Sequence, residues 1–518
     1  MADKLYFSRD AKLYVELTSN AGAFQGVWEV PVLDGFSFSQ TTNQTEIGLN
    51  EMESTAGISR RGRRLFTDSL APAEWSFSTY VRPTLKNTSE HHLVDEVLWA
   101  AMAGADLHAG TGSSENGDFS RNTSDKATTS GTVLDVTGGT LPSGGTGGLL
   151  SFNESNRSTL PKLTLYFVFE TDTDNPMVYK LSSAIVNECS IDFDIDGIAT
   201  ANWSGFAKEV EDLQTKGEVT VQSGTTISGA SAGDVFLDNN DDLRLGIATA
   251  ATTLRSAYNT GVTSTSNFIR NRLTQLEVRG QNPDVMEGKR ISISSEDGSG
   301  TFTTSAVHGL SVGDVVRISG LGGTDAATFN GKNLFVKTIP STTTFTLSAT
   351  DGGSTLSGTV TTSGSPVVDT GIYSFTLTGG NITISNNINY LVPEELGIIN
   401  KPVEGVTGAR AIGGNFTCYL VFDDNSTVNG NTGASSDFFS DLVDPVKGLT
   451  KVVNDFNVTF KVGGTVSTEP RIHLNFPKVH IDVPSHNIED VVALETNFGA
   501  YTNDFDTVDE FNLEVFGV

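Results

Sequence analysis

The chain has 518 residues, with 62 Asp and Glu against 33 Lys and Arg and a net charge of -29. That balance argues against a protein that grips nucleic acid by neutralising phosphates, and two cysteines far apart, Cys189 and Cys418, argue against a disulfide framework or a Cys-rich zinc site. Fifty-four glycines, thirty phenylalanines and abundant Ser and Thr indicate a mainly β chain, long enough for about three domains.

The opening MADKLYFSRDAKLYVEL alternates like a strand and carries charges throughout, unlike a signal peptide. No apolar run approaches the ~18 residues of a membrane span, so the expectation is a soluble protein made in the cytosol. Next comes DGFSFSQTTNQTEI from Asp34, then a loop with four arginines in five residues, Arg60, Arg61, Arg63 and Arg64. Trp75, Phe77, Thr79 and Val81 then share one face of a strand. TSEHHLVDEVLWAAMAG reads as a helix, with Thr88 or Ser89 as N-cap and Gly104 as its stop. Residues 105–160 are Gly/Ser/Thr-rich and read as a long loop or small insertion.

Strand alternation returns at Leu163, Leu165, Phe167 and Phe169, and again in the acidic DFDIDG from Asp192. From Ile291 to about Thr370, short β patterns among Thr, Ser and Gly read as a compact inserted β-module. GGNITISNNINYL from Gly379, GVTGAR and FTCYLV then lead to SSDFFSDLVDP, a second helix that starts at Ser435 or Ser436 and ends before Pro445. Phe456, Val458, Phe460 and Val462 form another alternating strand. The last forty residues hold nine acids and no Lys or Arg, an acidic tail.

These segments contain an internal repeat. Phe36, Phe38 and Asn43 align with Ile382, Ile384 and Asn389, 346 residues on; Phe77 and Tyr80 align with Phe416 and Tyr419, 339 residues on. The second loop is therefore seven residues shorter, and a helix follows in each half. One β-domain design occurs twice, which constrains architecture more than any short motif. The expected organisation is a first domain over 1–215, a connecting segment over 216–265, and a second domain over 266–290 and 371–518 interrupted by the module at 291–370.

Candidate chemistry is sparse. Asp192, Asp194, Asp196 and Gly197 match the start of an EF-hand loop, but the twelfth position is Trp203 and no helix flanks it. Ile191, Phe193 and Ile195 instead describe a strand with one apolar and one acidic face. His91, His92, Asp95 and Glu96 could offer metal ligands, but no further ligand is suggested nearby, and a solvated helix start accounts for them. His308 before a turn reads as structural. No nucleophile–base pair or phosphate-cradling loop emerges, so the chain is expected to be neither an enzyme nor a cofactor protein. The Arg loop lacks the interleaved aromatics and basic surround of a nucleic-acid site. Its planar guanidiniums suit bidentate contact with carboxylates of a neighbouring subunit.

FTDSLAPAEWSFSTYVRP, NFIRNRLTQLEV and GGNITISNNINYL resemble the major tail tube proteins of long, flexible, non-contractile bacteriophage tails, in the subgroup with two tandem tube domains per chain. The resemblance covers roughly residues 5–210 and 265–518, and it departs from the pattern at the module near residue 290. The module's HGLxxGDxVxIxG start resembles small β-modules of other phage structural proteins. The resemblance implies two tandem β-sandwich or barrel-forming domains, each with a flanking helix, and the module on the tube exterior. It also implies three copies per ring, a trimer with pseudo-sixfold symmetry stacked into a tube in the virion tail. Three chains of -29 put -87 on a ring, so viral double-stranded DNA would slide through without adhering. Asp192, Asp194 and Asp196 are the expected lumen-facing acids, and Arg60, Arg61, Arg63 and Arg64 the expected inter-subunit contacts. Implied partners are further copies of the chain and the tape measure, tip and terminator proteins, with no membrane and no cofactor. The alternative is a phage baseplate or adhesin protein that binds host-surface glycan.

Overall fold

The computed structural model describes residues 6, 8–18, 24–47, 65–86, 90–104, 147–152, 160–170, 176–194, 196–258, 265–283, 286–391, 401–421, 433–443, 456–464, 468–488, 490–502 and 510–518. The Arg60–Arg64 cluster and most of the Gly/Ser/Thr-rich stretch over 105–160 lie outside them.

In the first half, β1 (Ala11–Thr18), β2 (Phe24–Val30) and β3 (Ser37–Ser39) precede the hairpin of β4 (Thr42–Glu46) and β5 (Leu65–Leu70). Next come β6 (Ala73–Tyr80), the hairpin of β7 (Pro83–Lys86) and β8 (Glu90–Leu93), helix α1 (Glu96–Ala103) and β9 (Gly148–Ser151). β10 (Lys162–Phe169), β11 (Met177–Asp194), β12 (Thr200–Ala207) and β13 (Glu209–Asp212) complete this half, ending in the short α2 (Leu213–Lys216). The alternation at Trp75, Phe77 and Thr79 puts these side chains in the core and Glu74, Ser76 and Ser78 on the other face.

α1 begins later than expected. Residues 83–86 pair with residues 90–93, with Thr84 opposite His92, so the helix starts after Asp95 and still stops at Gly104 in the left-handed conformation, φ 78°. Every α1 residue is buried. His92 and Glu96 are therefore not a solvated helix start: both are sealed in the core, where the hairpin and helix fold over β2.

The stretch expected as a connector carries a sheet of β14 (Val219–Gln222), β15 (Val235–Asp238), β16 (Arg244–Ala250) and β17 (Thr253–Ser256). Its Val235, Leu237, Leu245 and Ile247 share a core with Tyr14, Tyr166, Val168 and Val178 from the first domain. Strands this short bury enough apolar surface only against a ready-made sheet.

β18 (Gln275–Gly280) opens the second half and leads into β19 (Arg290–Glu296), β20 (Thr301–Thr304), β21 (Val315–Ser319), the short α3 (Ala326–Phe329), β22 (Asn333–Ser341), β23 (Thr344–Ser348) and β24 (Val367–Asp369). β19 to β24 close a six-stranded barrel around its own core, which includes Phe302, Phe329 and Phe345. His308 is buried there; Leu310 N–H donates to its Nδ1 at 2.9 Å, and its Nε2 lies 3.2 Å from the Ser341 carbonyl oxygen. The chain then continues through β25 (Ile372–Ser385), the hairpin of β26 (Asn389–Leu391) and β27 (Glu404–Val406), β28 (Ala411–Tyr419), and α4 (Ser435–Val443), which begins where the capping pattern placed it. β29 (Phe456–Gly463), β30 (Arg471–Ile481), β31 (Ser485–Ile488), β32 (Val492–Ala500) and β33 (Asn512–Phe516) end the chain. The acidic C-terminus is thus built into the sheet. Glu514 is fully buried and accepts a hydrogen bond from His473 at 3.1 Å.

The two halves repeat one pairing circuit. In the first, β2–β1–β10–β11–β12–β6–β3 are successive antiparallel neighbours. In the second, β25–β18–β29–β30–β32–β28 follow the same course and return to β25. Even the irregularities match: β10 slips against β11 between Leu163 and Leu165, and β29 slips against β30 between Phe456 and Val458. Phe77 faces Trp203 and its counterpart Phe416 faces Thr496. The pairing moves one alignment by two residues. Phe38 faces Trp75, and the residue facing Trp75's counterpart Gly414 is Ile382, where the sequence comparison matched Phe38 to Ile384.

Candidate functional site

The halves are joined by backbone. The second part of β11, Glu188 to Asp194, pairs antiparallel with Ser385 to Gly379 of β25. One sheet therefore runs β3–β6–β12–β11–β25–β28–β32 across both domains, and its inner face feeds a core shared by both, with Phe193 stacked on Phe460 at 5.6 Å.

The other face of this sheet is the candidate site. Along one register row stand Tyr80, Thr200, Asp192, Asn381, Asn415 and Asn497, one from each of six strands. The parallel rows bring Ser76, Ser204, Glu188 and Ser385, then Asp194, Gly379, Thr417 and Glu495. Among the described residues this face holds five carboxylates, Glu74, Glu188, Asp192, Asp194 and Glu495, and no lysine or arginine.

Hydrogen bonds tie the face together laterally. Ser78 Oγ donates to Asn202 Oδ1 at 2.7 Å, and Asn202 Nδ2 donates to Asp192 Oδ2 at 3.0 Å. Asn381 Nδ2 donates to Asp192 Oδ1 from the other domain, and Thr383 Oγ1 donates to Asn381 Oδ1 at 2.8 Å. Asp192 thus sits at the domain joint with both oxygens engaged by amides, and short side chains hold the surface low. Asp192 and Asp194 point away from the core, as alternation with Ile191 and Phe193 required. Asp196 does not continue the row; it lies in the turn beyond the strand, 3.7 Å from Arg272. Sequence reasoning named the aspartates and missed Asn202, Asn381 and Ser78. Their signal was the same alternation, in TANWSGFA, GGNITIS and AEWSFSTY.

Other polar clusters are internally paired. Asp95 Oδ2 accepts from Thr79 Oγ1 at 2.7 Å and Trp203 Nε1 at 3.3 Å. Glu96 accepts from Trp28 Nε1 at 3.2 Å and lies 3.0 Å from His92 Nδ1. Burial pushes the Asp95 carboxyl up to about 6 and raises that of Glu96, partly offset by these donors. A cleft of about 370 Å³ separates β18, β29 and β30 from the Ser311–Asp314 turn of the barrel. Its Arg279 bridges Glu277 and Asp314, and Lys461 lies 2.6 Å from Glu277. Of these pairs, Arg279–Asp314 ties the barrel to the second domain, and Glu277 and Lys461 brace the arginine from the second domain's side.

No family profile matches the sequence. The chain is similar to tail tube protein pb6 of Escherichia phage T5, 22% identical over 509 residues, covering 98% of this chain and 75% of that protein. Among solved structures, the sheath/tube terminator of an extracellular contractile injection system in its extended state matches 39% of this chain and 92% of its own, at 11% identity. The TM-score of that match is 0.20. The chain is a homologue of a phage tail tube protein, mainly β, and its role is that of a structural, non-enzymatic component of the virion tail.

Proposed function

We propose that the chain is a tail tube subunit that closes into trimeric, pseudo-hexameric rings, and that the polar face of the joined sheet lines the bore through which viral DNA passes. The joint between β11 and β25 carries this reading. It is a domain-to-domain contact made by two strand edges, and the repeat supplies the same two edges again. β31 corresponds to the second part of β11, because Ser485 faces Glu495 as Ser190 faces Asn202. β3 corresponds to the second part of β25. Among the described residues, β31 pairs only with β32 and β3 only with β6. Open edges of this kind are templates for another strand. Docking β31 of one copy on β3 of the next repeats the internal joint, and repetition about an axis closes a ring. Three two-domain chains complete a six-domain ring.

In that ring the face around Asp192 and Asp194 becomes a continuous band of amides, hydroxyls and carboxylates. DNA gains nothing by settling on it, because no cation is there to displace counterions from phosphate. The arginine cluster has a place in the same scheme. Lys401 bonds to Glu209 at 2.5 Å across the internal joint, and it stands 339 residues after Gly62, the residue between Arg61 and Arg63. We assign Arg60, Arg61, Arg63 and Arg64 to carboxylates of the neighbouring subunit. Tape measure, tip and terminator proteins are the remaining partners.

Negative-stain microscopy of the purified chain tests the reading: tubes or stacked rings of uniform bore are expected. Discrete monomers that bind cell-surface polysaccharide would sink it. Replacing the four arginines with Ser should weaken assembly and change its salt sensitivity. Exchanging Asp192 and Asp194 for Lys should leave tubes intact and make genome release slow and salt-dependent. Unaltered release would remove these residues from the bore.

A further inference from the structure

The internal joint has a second layer beyond its strand edges. The β26–β27 hairpin of the second domain lies across the first. Tyr390 is 8% exposed, packs with Ile185, Leu160 and Phe206, and donates from its hydroxyl to the Ser183 carbonyl at 3.1 Å. Across the hairpin from Tyr390 is Gly405, pressed so close that a β-carbon there would stand 2.6 Å from Ile185 Cδ1.

The β4–β5 hairpin is the first domain's version. Phe66 lies 339 residues before Gly405, and it faces Thr45 as Gly405 faces Tyr390. Leu65 and Phe66 are 58% and 57% exposed, adjacent large apolar side chains in solvent. The second domain's version of the seat follows from register. Ile185 faces Phe206 and His480 faces Gly499, so His480 stands for Ile185 and Gly499 for Phe206. The aromatic has changed sides: one junction has Gly405 on the hairpin and Phe206 on the seat, the other Phe66 on the hairpin and Gly499 on the seat. A Phe in place of Gly405 would collide with Ile185; on the second domain Gly499 carries no side chain where Phe206 stands, and the ring of Tyr501 lies over it instead. Tyr501, 55% exposed beside Gly499, offers a ring to pack on.

We infer that Phe66 of each copy buries against His480, Gly499 and Tyr501 of the adjacent copy, so that a reciprocal exchange of one aromatic for glycine matches the hairpin to its seat at the junction between subunits. This rests on the ring reading above and names the contact that orients it. A hairpin carrying Phe66 fits only a second-domain seat, and one carrying Gly405 leaves no void only on a first-domain seat. The two junctions are therefore not interchangeable: each hairpin matches its own seat.

The test uses full chains. Phe66→Cys chains are mixed with His480→Cys chains, assembled, oxidised and run on a non-reducing gel. A disulfide-linked dimer is expected from the mixture and not from either variant alone; chains carrying both substitutions should give dimers and trimers. Tubes of normal bore that yield no crosslinked species would overturn the proposed contact while leaving the ring reading intact. Failure of the unaltered chain to form rings at all would overturn both. As a second arm, Phe66→Asp should raise the concentration needed for assembly at least tenfold with unchanged circular dichroism, and Phe66→Leu should assemble nearly as the unaltered chain. Phe66→Asp chains that polymerise normally would also refute the contact.

Discussion

Asp95 offers a quantitative test of how the first domain is held together. Its carboxyl is completely buried, between Thr79 and Trp203, at the start of a helix that is itself buried. Burial raises its pKa from 3.8 to about 6, because the anion is desolvated more than the two donors compensate. Below pH 3.8 the carboxyl is neutral in both folded and unfolded chains. Between 3.8 and about 6 the unfolded chain releases its proton while the folded chain retains it, so rising pH favours unfolding. Above about 6 both are ionised and the loss is constant. Two pH units correspond to ~3 kcal/mol at neutrality. Asp95→Asn removes the titration and keeps an oxygen for the same two donors. Urea unfolding of unassembled protomers should therefore show the variant gaining ~3 kcal/mol relative to the parent between pH 3.5 and pH 7.5, with the whole change below pH 7. Glu96, whose pKa is raised in the same sense, is present in both proteins and largely cancels. A difference between the two proteins that does not vary with pH would refute the reasoning.

Excision of the barrel, residues 290–369, should leave assembly intact. Its two ends meet on the second domain, where Thr370 N–H donates to the Lys289 carbonyl at 3.1 Å, and its buried core takes only Ile372 from outside the excised residues; electron microscopy should show thinner-walled tubes of unchanged bore, and loss of rings would make the barrel part of the assembly. The two thiols should resist labelling by a maleimide at pH 8 until the chain is unfolded, since both are buried, with Cys418 pushed up to about 12 and Cys189 well above its ordinary value. Rapid labelling of the native chain would contradict that burial.

Much of the architecture was written in local pattern. Period-two alternation fixed which face of β6, β11 and β29 is buried, and it put Asp192 and Asp194 on the far side from Ile191 and Phe193 without any structure. The repeat identified two copies of one design because apolar positions recur at constant offset where strands must pack alike. Locally driven features were legible too, such as the end of α1 at Gly104 and the start of α4 at Ser435.

Tertiary structure decided what local pattern leaves degenerate. HHLVDEVLWAAMAG can be read as one helix; only the pairing of residues 83–86 with 90–93 turns its first part into a strand and buries His92 against Glu96. The four strands over 219–256 are too short for alternation to announce them, and they pack because Tyr14 and Tyr166 present a surface to cover. The offset between Phe38 and Ile382 could be set only by hydrogen-bond register, since a two-residue slip preserves every face. Above all, the pairing of Glu188–Asp194 with Gly379–Ser385 spans almost two hundred residues and leaves its exposed side polar. Composition and alternation specify a strand's faces, but the identity of its neighbour is settled by which edges remain open once each domain has folded.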